Sequence, residues 1–256
     1  MSADARRPAL VVATWNVHGG VGSDRRYHPA RIAQVLEEIR PDVIALQEVG
    51  SRASGENLLA VLVRETGFNA IDGWTCTRRG SDFGNAVLSR YPIESSTQMN
   101  LSLPRCEPRG ALDVVLATPG GPLRVIATHL GLRPSERRAQ VKLLLAALER
   151  EQPLPTVLTG DVNEWYLWGR PLRWLHRHFK ETPAPATFPA ARPMFALDRL
   201  WTEPAQLLAD LRVHRSPLAR VASDHLPLVA HLALPARGPL PHAEPPGAAS
   251  IPQEGS

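Results

Sequence analysis

Cysteine is almost missing from this 256-residue chain, which holds only Cys76 and Cys106. Two thiols are too few for a disulfide framework or a cysteine metal centre. Lysine is as scarce: of 29 basic residues, all but Lys142 and Lys180 are arginine. No apolar run approaches the roughly 18–20 residues that a membrane-spanning helix requires. The HExxH spacing that would place two histidines on zinc does not occur. A leader with a cleavage site is not recognisable either. MSADARRPALVVATW sets two arginines before an apolar run, but that run leads straight into Asn16 and reads as a first strand. The expectation is a cytoplasmic monomer without a transmembrane segment, for which peripheral membrane contact is still allowed.

What the chain does have is a 43% hydrophobic content, ordinary for a globular protein, and enough length for one large core. Its net charge of +4 rests on arginine, whose planar fork suits phosphate. An Ala-, Arg- and Pro-rich composition also follows from genome base composition, so charge by itself names no partner. One domain is expected over 1–234. Over 235–256 Pro, Gly, Ala and Ser dominate with too little apolar content to pack, which predicts a disordered tail.

Read in order, Leu10–Trp15 is a buried strand ending at Asn16, and Ile32, Val35, Leu36 and Ile39 follow at helical spacing until Pro41. Val43–Gln47 is a second strand that delivers Glu48. Leu58, Leu59, Leu62 and Val63 predict a helix closed by Gly67. Further strands are expected at Phe83–Leu88, Asp113–Ala117 and Leu123–Thr128, the last ending at His129. Pro134 opens a helix carrying Val141, Leu144, Leu145 and Leu148. The stretch Thr156–Glu164 then ends a short apolar strand in Gly160, followed by Asp161 and Asn163. Residues two apart at a strand end face the same way, so these two side chains can address one object. A short helix from Pro171 to about Phe179, a strand at Leu197–Trp201 and a last strand at Leu226–Leu234 complete the pattern.

One spacing recurs. Asn16 to Glu48 is 32 residues, and so is His129 to Asp161. Each interval runs from a strand end through a helix to the next strand end, so two similar layers meeting at one cleft would gather all four residues. The intervening sequences are not alike. Four acids (Glu48, Asp161, Asp198, Asp224), two histidines (His129, His225) and two asparagines (Asn16, Asn163) thus border predicted strands. Taken singly, such residues are more often solvated turn acids or structural histidines. Together they form an oxygen-rich set suited to magnesium or manganese.

The segments TWNVHGG, DVIALQEV, GNAVLSRYPI, PRGAL, ATHLGL, TGDVNEW, LDRLW and SDHLPL stand in this order over Leu10–Leu234. In them the chain resembles the endonuclease/exonuclease/phosphatase superfamily of metal-dependent phosphoesterases, and looks like its small bacterial members. The resemblance implies an α/β fold: a four-layer sandwich of two packed mixed sheets flanked by helices. It implies Glu48 as a metal ligand, with Asn16 and Asp224 completing or adjoining that site. Asp161 would orient or deprotonate the attacking water, and Asn163 would hold the scissile phosphate. His225 would contact the phosphate with Asp198 orienting its ring, while His129 and Arg109 would be further phosphate contacts. The implied cofactor is Mg2+, with Mn2+ as a substitute. Val162 replaces the commoner aromatic between Asp161 and Asn163, and its side chain is expected to point away from the site.

The implied activity is hydrolysis of a phosphate diester in a nucleic acid or a phospholipid headgroup. Two alternatives stand beside it: a phosphomonoesterase acting on an inositol phosphate or similar headgroup, and an inactive binding module. A module that has lost activity usually lacks a metal or base residue, and this chain keeps each of them. After Asn163, Trp165, Tyr166 and Trp168 precede a helix with Arg173, His176, Arg177 and Lys180 opposite its apolar side. The plain reading is a surface helix; the functional one is a rim that grips an anionic polymer or membrane.

Overall fold

Along the central strands, successive side chains enter two different apolar environments, and this alternation sets the architecture. The computed structural model describes residues 9–50, 57–78, 81–149 and 154–233. The proline-rich segment 235–256 and the domain boundary expected at 234 lie outside them. The chain runs β1 (Ala9–Asn16), α1 (Pro29–Ile39), β2 (Val43–Gly50), α2 (Leu58–Thr66), β3 (Asn69–Arg78), β4 (Ser81–Ser89), β5 (Ile93–Asn100) and β6 (Gly110–Thr118). It continues through β7 (Gly121–His129), α3 (Pro134–Leu148), β8 (Thr156–Asp161), α4 (Arg170–Phe179), β9 (Asp198–Glu203), β10 (Leu208–Val213), α5 (Ala219–Ala222) and β11 (Leu228–Ala233).

The strands form one sheet in the order β10-β11-β1-β2-β4-β3 and a second in the order β5-β6-β7-β8-β9. Both are mixed: β1–β2 and β7–β8 are the parallel pairs, and the other pairings are antiparallel. Val12, Val43, Ala45 and Val87 of the first sheet meet Leu112, Val114, Val125 and Val157 of the second in one inter-sheet core. The neighbouring residues point outward. Ala13, Trp15, Ile44 and Leu46 pack on Ile32, Val35 and Leu36 of α1 and on Leu58 and Leu62 of α2. Ile126, Leu158 and Trp201 pack on Val141 and Leu144 of α3 and on Leu172, Leu175 and Phe179 of α4. Helices therefore cover both outer faces, giving the four-layer α/β sandwich. Strands buried on both faces read as unbroken apolar runs, which is why these were legible.

The helix ends obey local rules. Pro29, Pro134 and Pro171 sit in first turns, where a missing N–H costs nothing. Gly67 closes α2 in the left-handed region at φ 67°. Three strands, β3, β5 and β10, were not expected, and all three are sheet edges. An edge strand buries less than a central one. In β5, Glu94–Gln98 is exposed throughout, so no apolar alternation marks it. Strands β9 and β11 begin later than expected, at Asp198 and Leu228.

The two 32-residue intervals share a layout but differ by one residue in register, Asn16 pairing with Gln47 and not with Glu48. Each is a strand, a covering helix and a parallel strand beside the first, with register Asn16↔Gln47 in one sheet and His129↔Asp161 in the other. Parallel strands joined this way end on the same side, so both sheets deliver their polar residues to one edge of the sandwich.

Candidate active site

Asp161 is the junction. Its register partners are His129 on β7 and Asp198 on β9, so the three side chains stand in a row across the second sheet. Across the sandwich, Asn16 donates from Nδ2 to Asp161 Oδ2 at 3.1 Å and to Glu48 Oε1 at 3.0 Å. Its Oδ1 meanwhile accepts from the His18 backbone N–H at 3.1 Å. Asn16 thus ties the two carboxylates, and with them the two sheets.

Glu48 reaches this point through its backbone. Gln47 bonds Thr14 on the inter-sheet face, so simple alternation would send Glu48 to the helix side. A left-handed residue at Glu48, φ 55°, turns it back beside Asn16. Asn163 is also left-handed, φ 50°, with its N–H on Asp161 Oδ1 at 2.9 Å and its Nδ2 on the Leu130 carbonyl at 3.0 Å. Non-glycine residues held there are uncommon and concentrate at functional sites. Val162 between them is buried in the outer core, pointing away as expected.

The two histidines differ in charge. Arg109 Nη1 lies 3.0 Å from His129 Nδ1. A guanidinium has no acceptor, so Nδ1 must accept and the ring proton sits on Nε2. That atom lies 3.6 Å from Asp161 Oδ2 and 4.0 Å from Glu48 Oε1. Burial and the Arg109 charge push the His129 pKa down to about 3, against the pull of Asp161, so the ring is neutral. In His225 burial works in the same downward sense but is outweighed by Asp198, Asp161 and Asp224, which raise it to about 10. Its Nδ1 donates to Asp198 Oδ2 at 2.8 Å, and its Nε2 lies 3.7 Å from Asp161 Oδ2. Thr187 Oγ1 donates to the same Asp198 oxygen, and Trp15 Nε1 to the His225 carbonyl.

The sign of the pH effect follows. A histidine raised above its ordinary 6.5 contributes stability that is complete below that value and disappears as pH climbs through about 10. Asp198→Asn removes the first of the raising charges. It is expected to move the His225 titration, followed by NMR of the ring, to lower pH. The alkaline limb of the pH–rate profile should move the same way. An unshifted ring titration would contradict the role of Asp198.

These side chains border a cleft of about 330 Å³, whose lining includes Glu48, Arg109, His129, Asp161, Asn163 and His225. Asp198 lies behind His225, fully buried. Asp224 stands apart: its carboxylate faces His18 Nδ1 at 3.8 Å and Ser223 Oγ at 3.3 Å, and it is not part of the cleft lining. Asp161, Asp198 and His225 each offer an atom within 4.8 Å of the others, a grouping that could hold a metal. The 2.8 Å hydrogen bond already commits the His225 Nδ1–Asp198 contact, however. Asn16, expected beside Glu48 as a ligand, spends its amide oxygen on the His18 N–H, so the carboxylates left for a metal in the cleft are those of Glu48 and Asp161. Their two carboxylates share one amide, an oxygen-rich set matched to a hard divalent ion.

Sequence reading missed Thr187 and Phe188, whose ring lies 4.8 Å from that of His225. Both belong to a Pro-rich loop without periodicity, so no local signal marked them. Arg173 and Arg177 on α4 and Lys180 just after it are exposed as expected, whereas His176, expected on the same face, is half-buried with its ring 6.0 Å from that of Trp201. Arg177, however, lines a groove with Lys142 and Trp174 between α3 and α4, sharing no residue with the cleft.

Residues 13–225 match the model of the Endonuclease/Exonuclease/phosphatase family. The uncharacterized protein YbhP of Escherichia coli (strain K12) is 32% identical over 246 residues, covering 87% of this chain and 96% of YbhP. An endonuclease/exonuclease/phosphatase from Beutenbergia cavernae superposes with a TM-score of 0.74 at 27% identity, over 88% of this chain and 72% of that one. The human Nocturnin catalytic domain shares the fold at TM-score 0.68 and 19% identity, over 88% and 94%. Sequence match, fold and the carboxylate–histidine cleft at the sandwich edge agree: the chain belongs to the Endonuclease/Exonuclease/phosphatase family.

Proposed function

We propose that this chain hydrolyses a phosphate diester by attack of a water held against Asp161. Members of its family are phosphoester hydrolases, typically dependent on a divalent metal. The observation that carries the reading is the convergence on one oxygen. Asn16 Nδ2, His129 Nε2 and His225 Nε2 all approach Asp161 Oδ2, at 3.1, 3.6 and 3.7 Å. The two longer gaps exceed hydrogen-bond length, so each ring N–H stands close to the carboxylate and can donate to an oxygen of water or phosphate lying beside it in the cleft.

In this reading Asp161 accepts the proton of the attacking water. His225, held cationic by Asp198, donates from Nε2 to a phosphoryl oxygen and offsets the charge that grows there. His129, neutral and oriented by Arg109, donates from Nε2 to a second oxygen. Asn163, turned into the cleft by its left-handed backbone, supplies an amide N–H to the same group. Phosphoryl transfer is largely positioning and charge neutralisation, and these groups are fixed before substrate arrives. Glu48 and Asp161 would hold a magnesium or manganese ion, which when bound supplies charge stabilisation and a more acidic water. A diester carries one negative charge, matched here by the His225 cation, while the Arg109 guanidinium is paired with Glu107 at 3.4 Å.

The test is metal-dependent turnover of bis-p-nitrophenyl phosphate against p-nitrophenyl phosphate. Faster cleavage of the diester is expected. Preference for the monoester would replace the reading with a phosphomonoesterase, and no turnover of either with any divalent ion would leave a binding module. Glu48→Gln is expected to cut activity at limiting magnesium and to recover part of it at high magnesium or with manganese. Superimposable metal-titration curves for mutant and parent would remove Glu48 from the metal site.

A further inference from the structure

Among the described residues, the large apolar side chains left exposed are not scattered. Leu132 (61%), Trp165 (43%), Tyr166 (59%), Leu167 (56%), Trp168 (72%) and Met194 (65%) lie on three loops at the cleft, and only Leu143 and Val221 lie elsewhere. The first loop follows β7, the second follows β8 and the third precedes β9. They form one surface. Leu132 and Trp165 both line the cleft. The Trp165 ring packs edge-on against Phe195 at 4.7 Å and Phe188 at 6.1 Å. Met194 N–H bonds the Phe188 carbonyl, and Tyr166 and Trp168 lie ring to ring at 5.6 Å.

The surface is also built from below. Buried Arg137 donates from Nε to Glu164 Oε2 at 3.1 Å and from Nη1 to the Leu132 carbonyl, so one guanidinium bolts the first loop to the second. The other Glu164 oxygen accepts from the Tyr166 N–H at 3.3 Å. Gly169 closes the loop where any Cβ would strike Glu164 at 2.5 Å. Burying this ion pair costs desolvation, and what it fixes is the shape of an apolar rim facing water.

The charges on this rim have one sign. In segments 131–138, 163–173 and 188–196 the exposed charged residues are Arg133, Arg170, Arg173 and Arg192, while Glu136 and Glu164 are buried against arginines. Contiguous exposed apolar surface flanked by arginine marks an interaction site. Tryptophan and tyrosine with aliphatic neighbours and basic flanks fit the boundary between water and an anionic lipid layer. A single-stranded nucleic acid would use the rings for stacking but has no use for Leu132, Leu167 and Met194.

We infer that this rim docks on an anionic lipid–water interface, so that the cleft receives the phosphate ester of an amphiphile's headgroup. The inference deepens the hydrolytic reading above and rests on it for the chemistry. Leu167 and Trp168 lie outside the cleft lining and serve as the probe. The experiment is flotation of the full chain with phosphatidylcholine vesicles, with and without phosphatidylglycerol, alongside turnover of soluble bis-p-nitrophenyl phosphate.

Leu167→Ser with Trp168→Ser is expected to weaken vesicle binding about tenfold or more, since each inserted apolar group contributes separately. Soluble turnover should stay at the parental level, which also certifies the fold. Arg170→Glu with Arg192→Glu should weaken binding only where phosphatidylglycerol is present, and more at low salt. Parent protein that floats with neither vesicle, or a double serine variant that floats like the parent, overturns the docking surface. So does binding of a single-stranded oligonucleotide, without vesicle binding, that the serine variant loses. Vesicle binding with this mutational pattern but no soluble turnover supports the docking surface and counts against the hydrolytic reading alone.

Discussion

Asp161→Asn should lower phosphodiester turnover by about 100- to 10,000-fold, the range typical for loss of a positioned general base. The fold should persist, because asparagine keeps the size of the side chain and retains an oxygen. That oxygen can still accept from the Asn163 N–H or from Asn16 Nδ2, the bonds Asp161 makes at 2.9 and 3.1 Å. What is lost is the negative charge at the point where three N–H-bearing groups converge, and with it the place for the water's proton. The checks are turnover, bound metal and the thermal midpoint of the same preparation. Turnover near the parental value with normal metal content would take the base role away from Asp161.

A second large effect is expected one residue earlier, on stability. Gly160 has φ 143°, which L side chains rarely adopt. A Cβ built there meets the Thr128 carbonyl oxygen at 1.9 Å. The obstacle is backbone, and Thr128 is the register partner of Gly160 in the parallel β7–β8 pair, so relief requires the two strands to part. Gly160→Ala should therefore cost about 2–5 kcal/mol, summing backbone strain with overpacking. For a domain of this size that lowers the melting temperature by on the order of 10 °C. Activity should fall as well, because His129 and Asp161 are the next residues on these strands. A melting point within a degree or two of the parent, a shift of under roughly 1 kcal/mol, would show that β7 and β8 are less tightly paired than the structure has them.

The chain's order of elements was determined by its sequence alone, wherever burial is two-sided. Val43–Leu46, Val125–Ala127 and Val157–Leu158 are apolar throughout because each faces helices on one side and the other sheet on the other. The site residues were legible for a related reason. Asn16, His129 and Asp161 end such strands, so a polar residue after an apolar run fixes both its position and its direction.

Four things were decided only by tertiary structure. The edge strands β3, β5 and β10 exist because a neighbour offers hydrogen bonds, which no local pattern records. The turn of Glu48 toward Asn16 depends on a left-handed residue that alternation cannot foresee. The opposite protonation of His129 and His225 follows from Arg109 beside one ring and Asp198 beside the other, contacts spanning 20 and 27 positions of sequence. The aromatic loop after β8 became a rim because Arg137 binds both Glu164 and the Leu132 carbonyl, drawing two distant loops to one side of the cleft. Apart from the β3–β4 hairpin, whose register closes at Arg78↔Ser81, these rest on partners distant in sequence, and their energy enters only when the chain has closed on itself.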